Sequence, residues 1–490
     1  MKIYKSTYIK ALILVAALVA SACDEFLDIN VSPNAVTEVP PRFLMAGSTA
    51  AVGFHMGSDI HRFSSIWAQQ FTGGGGVGIQ TVEYSKYNIT ATDVNNVWRN
   101  AFYGQMLSDL QQLRLATEGT SPRYAGIAKL LQAYLFAITV DAWGDVPFTD
   151  AVKFAGDLAP VYDNSEDVYA GLFDLIDEGL QNISVTTNLL TPGADDLIYA
   201  GDVDKWTRFG NSLKLRMLIK YYPTDNATAN AEIAALLAQP GVKFIDKASD
   251  NFQLAFEAST NRENSIDQFE RRRLNQFWPT TTLVNLMGSA DPRRPFYFAT
   301  TSAGAYVGLE PGSTITSPST SRLHTYLRGA VTGTNPNTGY AGNAPQRMLT
   351  FAEHNFNLAE YYLRTGDATN AQASFAAGIR ASLEMAGVSE SNVIGFMASP
   401  TATLAGAFDV QLRQIIEQKY IANYGVPMEP WSDWRRTGFP VLAISSGAVF
   451  TEIPRILPYS DLERVTNPVN TPAREAADLT EAQVFWDPGN

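Results

Sequence analysis

Two sets of carboxylates in this chain are of the residue type that acid–base chemistry would use. Glu353 and Glu360 stand seven apart on one face of an expected helix, and Asp141, Asp145 and Asp150 crowd the end of another. Two carboxylates flanking a glycosidic bond can hydrolyse it if they are held at a fixed separation across a cleft. No motif here imposes that separation. The glutamates also suit solvated or capping roles, and Gly144 and Pro147 make the aspartate set read as a structural turn. Oxygen ligands converging at that turn would suit a structural calcium; no other cofactor is expected. The four histidines, His55, His61, His324 and His354, and the single cysteine form no zinc pattern. Neither a serine elbow nor a Cys–His nucleophile signature is present. Gly73 to Gly76 invite a phosphate-loop reading, but Val77-Gly78-Ile79-Gln80 follows where Gly-Lys-Ser/Thr would be needed, so a flexible loop is expected.

Binding is the better-supported chemistry. A sugar presents a face of C–H groups ringed by hydroxyls; an aromatic ring covers the face, and amide, carboxylate or guanidinium groups satisfy the hydroxyls. The candidates are aromatics on expected loops with polar neighbours: Trp67 with Gln69 and Gln70, Tyr84 and Tyr87 with Lys86, Trp278 with Asn275 and Gln276, Tyr306, and Tyr326 with His324. Trp98, Trp143, Trp206, Trp431 and Trp434 fall on periodic faces or in compact motifs and are assigned to packing. Arg271 to Arg273 read as a solvated or ion-paired run.

These residues need a body to hold them. The chain has 490 residues, 46% apolar and 11% aromatic, enough for a large core. Its 49 acidic and 36 basic residues leave a net charge of −13, which argues against nucleic-acid binding. Residues 1–22 combine a basic start (Lys2, Lys5, Lys10), an apolar run from Ala11 to Ala20, and small residues before Cys23. That is the layout of an export signal, too short in its apolar part to span a bilayer. A lone cysteine at its end marks a lipidation site, which would make residues 23–41 an acidic, turn-rich tether. No later stretch is expected to reach transmembrane length.

Residues 42–490 form the body. Helices are expected from Phe43 to His55, from Asp93 to about Gly119, from Pro122 to the Asp141 turn, after an Asp163/Glu166 capping box, and after Asp202. The last of these carries a basic stripe: Lys205, Arg208, Lys214, Arg216 and Lys220. Residues 241–345 lose helical periodicity but keep aromatics, which marks a loop-rich insertion and the expected ligand face. Helices resume near Met348. The pair joined by Gly366, with Ala and Phe at its contact, resembles a tetratricopeptide repeat. A last long helix over Phe408 to Tyr424 leads into a proline-marked tail expected to wrap the helices.

The order of motifs resembles the SusD/RagB family of bacterial outer-membrane lipoproteins. The resemblance rests on Cys23-Asp24-Glu25-Phe26-Leu27-Asp28, Asp141-Ala142-Trp143-Gly144-Asp145-Val146-Pro147-Phe148, Gly201-Asp202 through Trp206 to Arg216, Glu360 with Gly366, Trp431-Ser432-Asp433-Trp434-Arg435-Arg436-Thr437-Gly438, and Ile453-Pro454-Arg455 to Pro468. It implies a mainly α fold, a tetratricopeptide-like superhelix of helix pairs with a loop-rich insertion and an extended C-terminal wrap. It also implies an outer-membrane lipoprotein facing the cell exterior, with Asp24 and Glu25 resembling the surface-export signal. The implied function is to bind an oligosaccharide or glycan and pass it to a SusC-type TonB-dependent transporter. The alternatives are a peptide-binding member of the same family, a lipid-anchored glycoside hydrolase, and a structural helical-repeat scaffold.

Overall fold

Every side chain on the longest helix but the first two is buried, so this helix sets the frame. The computed structural model describes residues 39–154, 159–314, 319–482 and 484–489; Cys23 and all but the last residues of the 23–41 tether lie outside them. In chain order the main helices are α1 Pro41–Met56, α2 Asp59–Trp67, α3 Ser108–Thr117 and α4 Pro122–Trp143. They continue with α5 Ser165–Ser184, α6 Val203–Ile219, α7 Asn226–Leu237, α8 Phe351–Arg364, α9 Ala368–Ala386, α10 Phe408–Ala422 and α11 Glu429–Thr437.

By length and composition α4 could cross a membrane, contrary to the expectation that no such stretch exists after the leader; its apolar window is wholly buried inside the protein. Lys129, Gln132 and Asp141 lie on it. Such polar groups need protein partners: Lys129 meets Glu118 and Glu178.

The helices pair with neighbours in sequence: α3 with α4, α4 with α5, α5 with α6 and α8 with α9. The short connections between α3 and α4 and between α8 and α9 make those neighbours antiparallel. In the α4–α5 pair two glycines permit close approach. A Cβ on Gly126 would stand 2.7 Å from the Gly179 carbonyl oxygen, so any side chain would push the helices apart. In the α8–α9 pair Phe356 meets Phe375 edge-on at 6.1 Å, the contact expected from the sequence.

Capping follows local chemistry. Asp202 caps α6 by accepting from the Asp204 and Lys205 amides. At α5 the expected capping box is displaced by one residue. Asn164 is the cap, accepting from the Glu166 amide, while Asp163 accepts from the Phe148 and Thr149 amides and closes the preceding turn. Asp93 likewise binds Thr90 and Tyr84 and caps no helix.

The insertion has a neck. Strand β2 (Phe252–Leu254) pairs antiparallel with β6 (Gln346–Leu349), so the chain between them leaves the frame and returns to the same place. Within it β3 (Trp278–Pro279) pairs with β1 (Phe71–Thr72) beyond the end of α2, and β4 (Phe298–Ala299) pairs with β5 (Arg322–Leu323). The tail is less extended than expected. It holds α11 and a short helix, Asp461–Thr466, before running across the frame, where Trp431 and Trp486 are fully buried.

Candidate functional site

Three chain segments meet around a cleft of about 610 Å³. Gln69 and Lys86 come from the α2 side, Thr282 and residues 310–314 from the insertion, and residues 443–447 from the tail. Gln69, held at φ 55°, donates its amide to the Ala443 carbonyl and accepts from the Thr282 hydroxyl, so it bridges all three segments. The Ser446 amide donates to the Pro311 carbonyl at 2.9 Å, and the Val449 amide to the Lys86 carbonyl at 2.9 Å. Backbone bonds thus fix the walls, whose side chains include the Lys86 ammonium, which also meets Glu83 at 3.5 Å, the Glu310 carboxylate and the hydroxyls of Ser313, Thr314 and Ser446. Pro311, Ala443 and Ile444 supply an apolar shelf beside them. The composition suits a polyhydroxylated ligand, whose hydroxyls both donate and accept.

The aromatic candidates take other positions. Trp67 is fully buried, donates to the Tyr84 carbonyl at 3.1 Å and meets Trp431 edge-on. Tyr84 is buried, with its hydroxyl on Asp93; burial and that carboxylate push its ionisation above the ordinary range. Tyr87 lies under the cleft floor, its hydroxyl accepting from the Ser445 amide at 3.0 Å. Trp278 is 5% exposed and covered by the Arg322 guanidinium, 4.1 Å from its ring centre. Tyr326 is sandwiched: Arg347 lies 3.9 Å over its ring, and Tyr297 packs beside it at 4.5 Å. Only Tyr306 and His324 are partly exposed, and Arg294 lies 5.1 Å over the Tyr306 ring. His324 shares a hydrogen bond with the Tyr340 hydroxyl, and burial with Arg328 nearby lowers its pKa.

The structure therefore brings together the polar neighbours, Gln69 and Lys86, and sets most of the rings beneath or beside them. Many of the insertion's rings have a welding role. Phe277, Phe71, Tyr424, Tyr297 and Tyr326 stack in series, with successive centroids 4.4, 4.9, 4.8 and 4.5 Å apart, and join the insertion to the ends of α2 and α10. The 443–447 wall was not foreseen; its only signal in the sequence is the small, polar run Ser445-Ser446-Gly447.

The carboxylates singled out for catalysis or calcium face separate partners. Glu353 is clasped by the Arg216 guanidinium at 2.6 and 2.7 Å, and Glu360 by Arg436 at 2.6 and 2.5 Å. Asp141 binds Lys220, Tyr169 and the Trp486 indole; Asp145 accepts from the Ser165 amide; Asp150 meets Lys153. Among the described residues no three His, Cys, Asp or Glu side chains converge as metal ligands. His61 is sealed between Phe71 and Phe277, and burial lowers its pKa to about 3.

A family model described as "SusD-like_2: Starch-binding associating with outer membrane" matches residues 33–459. Solved structures share the fold. A SusD-like protein from Bacteroides thetaiotaomicron aligns with TM-score 0.75 and 22% identity over 91% of this chain and 99% of that one. A chitin-binding SusD homologue from Flavobacterium johnsoniae gives 0.74 and 20% over 91% and 97%. A structure titled "chitin-binding protein" gives 0.74 and 22% over 91% and 100%. No curated protein matches the sequence.

Proposed function

We propose a function from one premise: the chain belongs to the SusD-like family, described as starch-binding and associating with the outer membrane. On this reading it binds an oligosaccharide at the cleft between Gln69, Lys86, the 310–314 loop and the 443–447 loop. It then delivers the glycan to a SusC-type TonB-dependent transporter without transforming it. A lipid on Cys23 holds the protein at the outer membrane, facing outward. The observation that carries the reading is the family match over residues 33–459, which takes in the frame, the insertion and both loops of the cleft. The lining supports it: one cation, one carboxylate and several hydroxyls surround an apolar shelf. The chitin-binding neighbours support a polysaccharide as the ligand class. Tyr306 and His324 are the aromatic candidates retained, because they are partly exposed; neither lines the cleft, so they would touch only a ligand that extends beyond it.

Calorimetry with malto- and chito-oligosaccharides tests this. Binding is expected, and Lys86→Met and Glu310→Gln should each weaken it about tenfold, roughly 1.4 kcal/mol. Both side chains lie on the cleft surface, so the fold should persist by circular dichroism. Unchanged affinity in both variants rejects the cleft. Binding of peptides in place of glycans replaces the sugar reading, and release of new reducing ends rejects the non-catalytic one. Cys23→Ala should leave affinity intact and abolish retention at the membrane.

A further inference from the structure

A second cleft, of about 570 Å³, lies in the frame and is lined by residues including Trp98, Arg99, Tyr103, Val152, Leu462 and Glu463. Its wall begins in an unusual stretch of backbone. Residues Asn96–Leu107 form a π-helix leading into α3. In an α-helix, residues five apart point to different faces; the wider π turn brings them onto one. Trp98 and Tyr103 are five apart, and their ring centres are 4.8 Å from each other. Gly104 allows the widened turn, because the Arg99 carbonyl oxygen lies 2.2 Å from where a Cβ would stand. Opposite, Val152 adopts φ 48°, a left-handed conformation that β-branched residues avoid. Strained residues of this kind gather at ligand sites.

The charges in this cleft are unspent. Glu463 is half-buried; its carboxylate accepts from the Trp98 indole at 3.3 Å and the Asn467 amide at 3.3 Å, both neutral donors. Its proximity, after burial, also pushes the Tyr162 hydroxyl well above its ordinary pKa. Arg99 is exposed at the rim. Among the described residues neither Glu463 nor Arg99 has an ion-pair partner, whereas the frame carboxylates Glu353, Asp141 and Glu360 are matched by cations.

We infer that this cleft binds a zwitterionic ligand with an apolar body: an apolar amino acid or a short apolar peptide. Glu463 takes the ammonium, Arg99 the carboxylate, and Trp98, Tyr103, Val152 and Leu462 the apolar part. The volume is that of a site for a small organic ligand. The inference stands apart from the oligosaccharide reading, because the two clefts share no lining residue.

The test uses the mature protein and four probes: Phe-Leu dipeptide, phenylalanine, phenethylamine (ammonium only) and 3-phenylpropionate (carboxylate only). Calorimetry should show the dipeptide or phenylalanine binding about tenfold more tightly than either single-charge probe; whichever is tighter identifies the source. Glu463→Gln should weaken the zwitterions and phenethylamine and leave 3-phenylpropionate unchanged; Arg99→Gln should weaken the zwitterions and 3-phenylpropionate and leave phenethylamine unchanged. Lys86→Met should change none of these, which separates this cleft from the glycan site. Failure of both zwitterions to bind at about 10 mM overturns the proposal. So does equal binding of all four probes, or indifference to both charge variants.

Discussion

The helical frame and the loop-rich insertion both bury ion pairs, Arg293 with Asp291 and Arg322 with Glu270 among them in the insertion, and differ in what else the cations hold. In the frame, carboxylates on one helix meet cations on another. Arg216 on α6 clasps Glu353 on α8; Lys220, just past α6, bridges Asp141 on α4 and Glu429 on α11; Arg436 on α11 clasps Glu360 on α8. In the insertion, guanidiniums lie on aromatic rings and aim much of their donor capacity at backbone. Arg328 sits 4.2 Å over Tyr340, pairs with Asp267, and donates to the Pro336 and Asn337 carbonyls. Arg347 covers Tyr326 and donates to its carbonyl; Arg271 donates to the Tyr340 carbonyl. The difference follows from the backbone. A helix satisfies its own amides and carbonyls, so buried charge is free to join one helix to the next. A loop leaves carbonyls without partners, and each must be answered when buried. Arginine has five donors and a flat face for a ring, so it does both tasks at once.

The largest effect should come from breaking a frame pair. Arg436→Ala leaves Glu360 buried beside Arg364 alone, and loss of one buried partner costs about 3–5 kcal/mol. Urea denaturation should show this as a lower midpoint for the whole protein; a loss confined to one segment would mean the frame is not one cooperative unit. The same pair sets a pH dependence. Burial alone would raise the Glu360 pKa, but Arg436 and Arg364 outweigh it and bring it from 4.5 to about 2. The folded value is depressed, so the pair stabilises the fold fully above about 4.5, and that contribution disappears as pH falls towards 2. Glu360→Gln should flatten the acid limb of stability measured between those values.

A smaller and more local effect is expected from Arg328→Lys. The charge stays, but one ammonium cannot reach Asp267, two carbonyls and the face of Tyr340 together. Hydrogen bonds involving charged groups contribute about 1.5–3 kcal/mol, which bounds the loss. Hydrogen exchange should rise across residues 320–345 while α4 and α8 stay protected. Equal loosening of the frame would erase the distinction between the regions.

The same contrast explains what was legible in the sequence. Long periodic segments such as α4 and α10 declared themselves, as did the Asp202 cap. The α7 helix did not, because Asn226 to Leu237 is alanine-rich and buries only Ala229, Ile233 and Leu236. The basic stripe on α6 was visible, but its purpose was not. Glu353, Asp141 and Glu429 lie far along the chain, and nothing local marks them as partners. The insertion's aromatics looked like platforms for sugar rings, because composition cannot tell whether a ring faces a sugar or a guanidinium. Their polar neighbours Gln69 and Lys86 do line the cleft, whereas its 443–447 wall came from a tail read only as a wrap.

The smallest test compares one residue type in both regions. Asn164 caps α5 in the frame, and Asn264 caps the short helix Ser265–Arg272 in the insertion; each accepts from the amide two residues on. The Asn164 side chain makes no other hydrogen bond among the described ones. Asn264 is 1% exposed and also donates from its side chain to the Ala344 carbonyl at 3.1 Å, close to where its own amide meets the Gly342 carbonyl at 2.7 Å. Replacing a cap by alanine typically costs about 1 kcal/mol, and stranding a buried carbonyl adds about 1–3. Asn164→Ala should therefore lower the denaturation midpoint slightly, and Asn264→Ala should cost more than twice as much. The excess should appear as faster exchange near residues 342–346, where the insertion returns to its neck. If the two substitutions cost the same, the insertion's loops are not held by side-chain bonds to backbone, and the contrast drawn between the two regions fails at its simplest point.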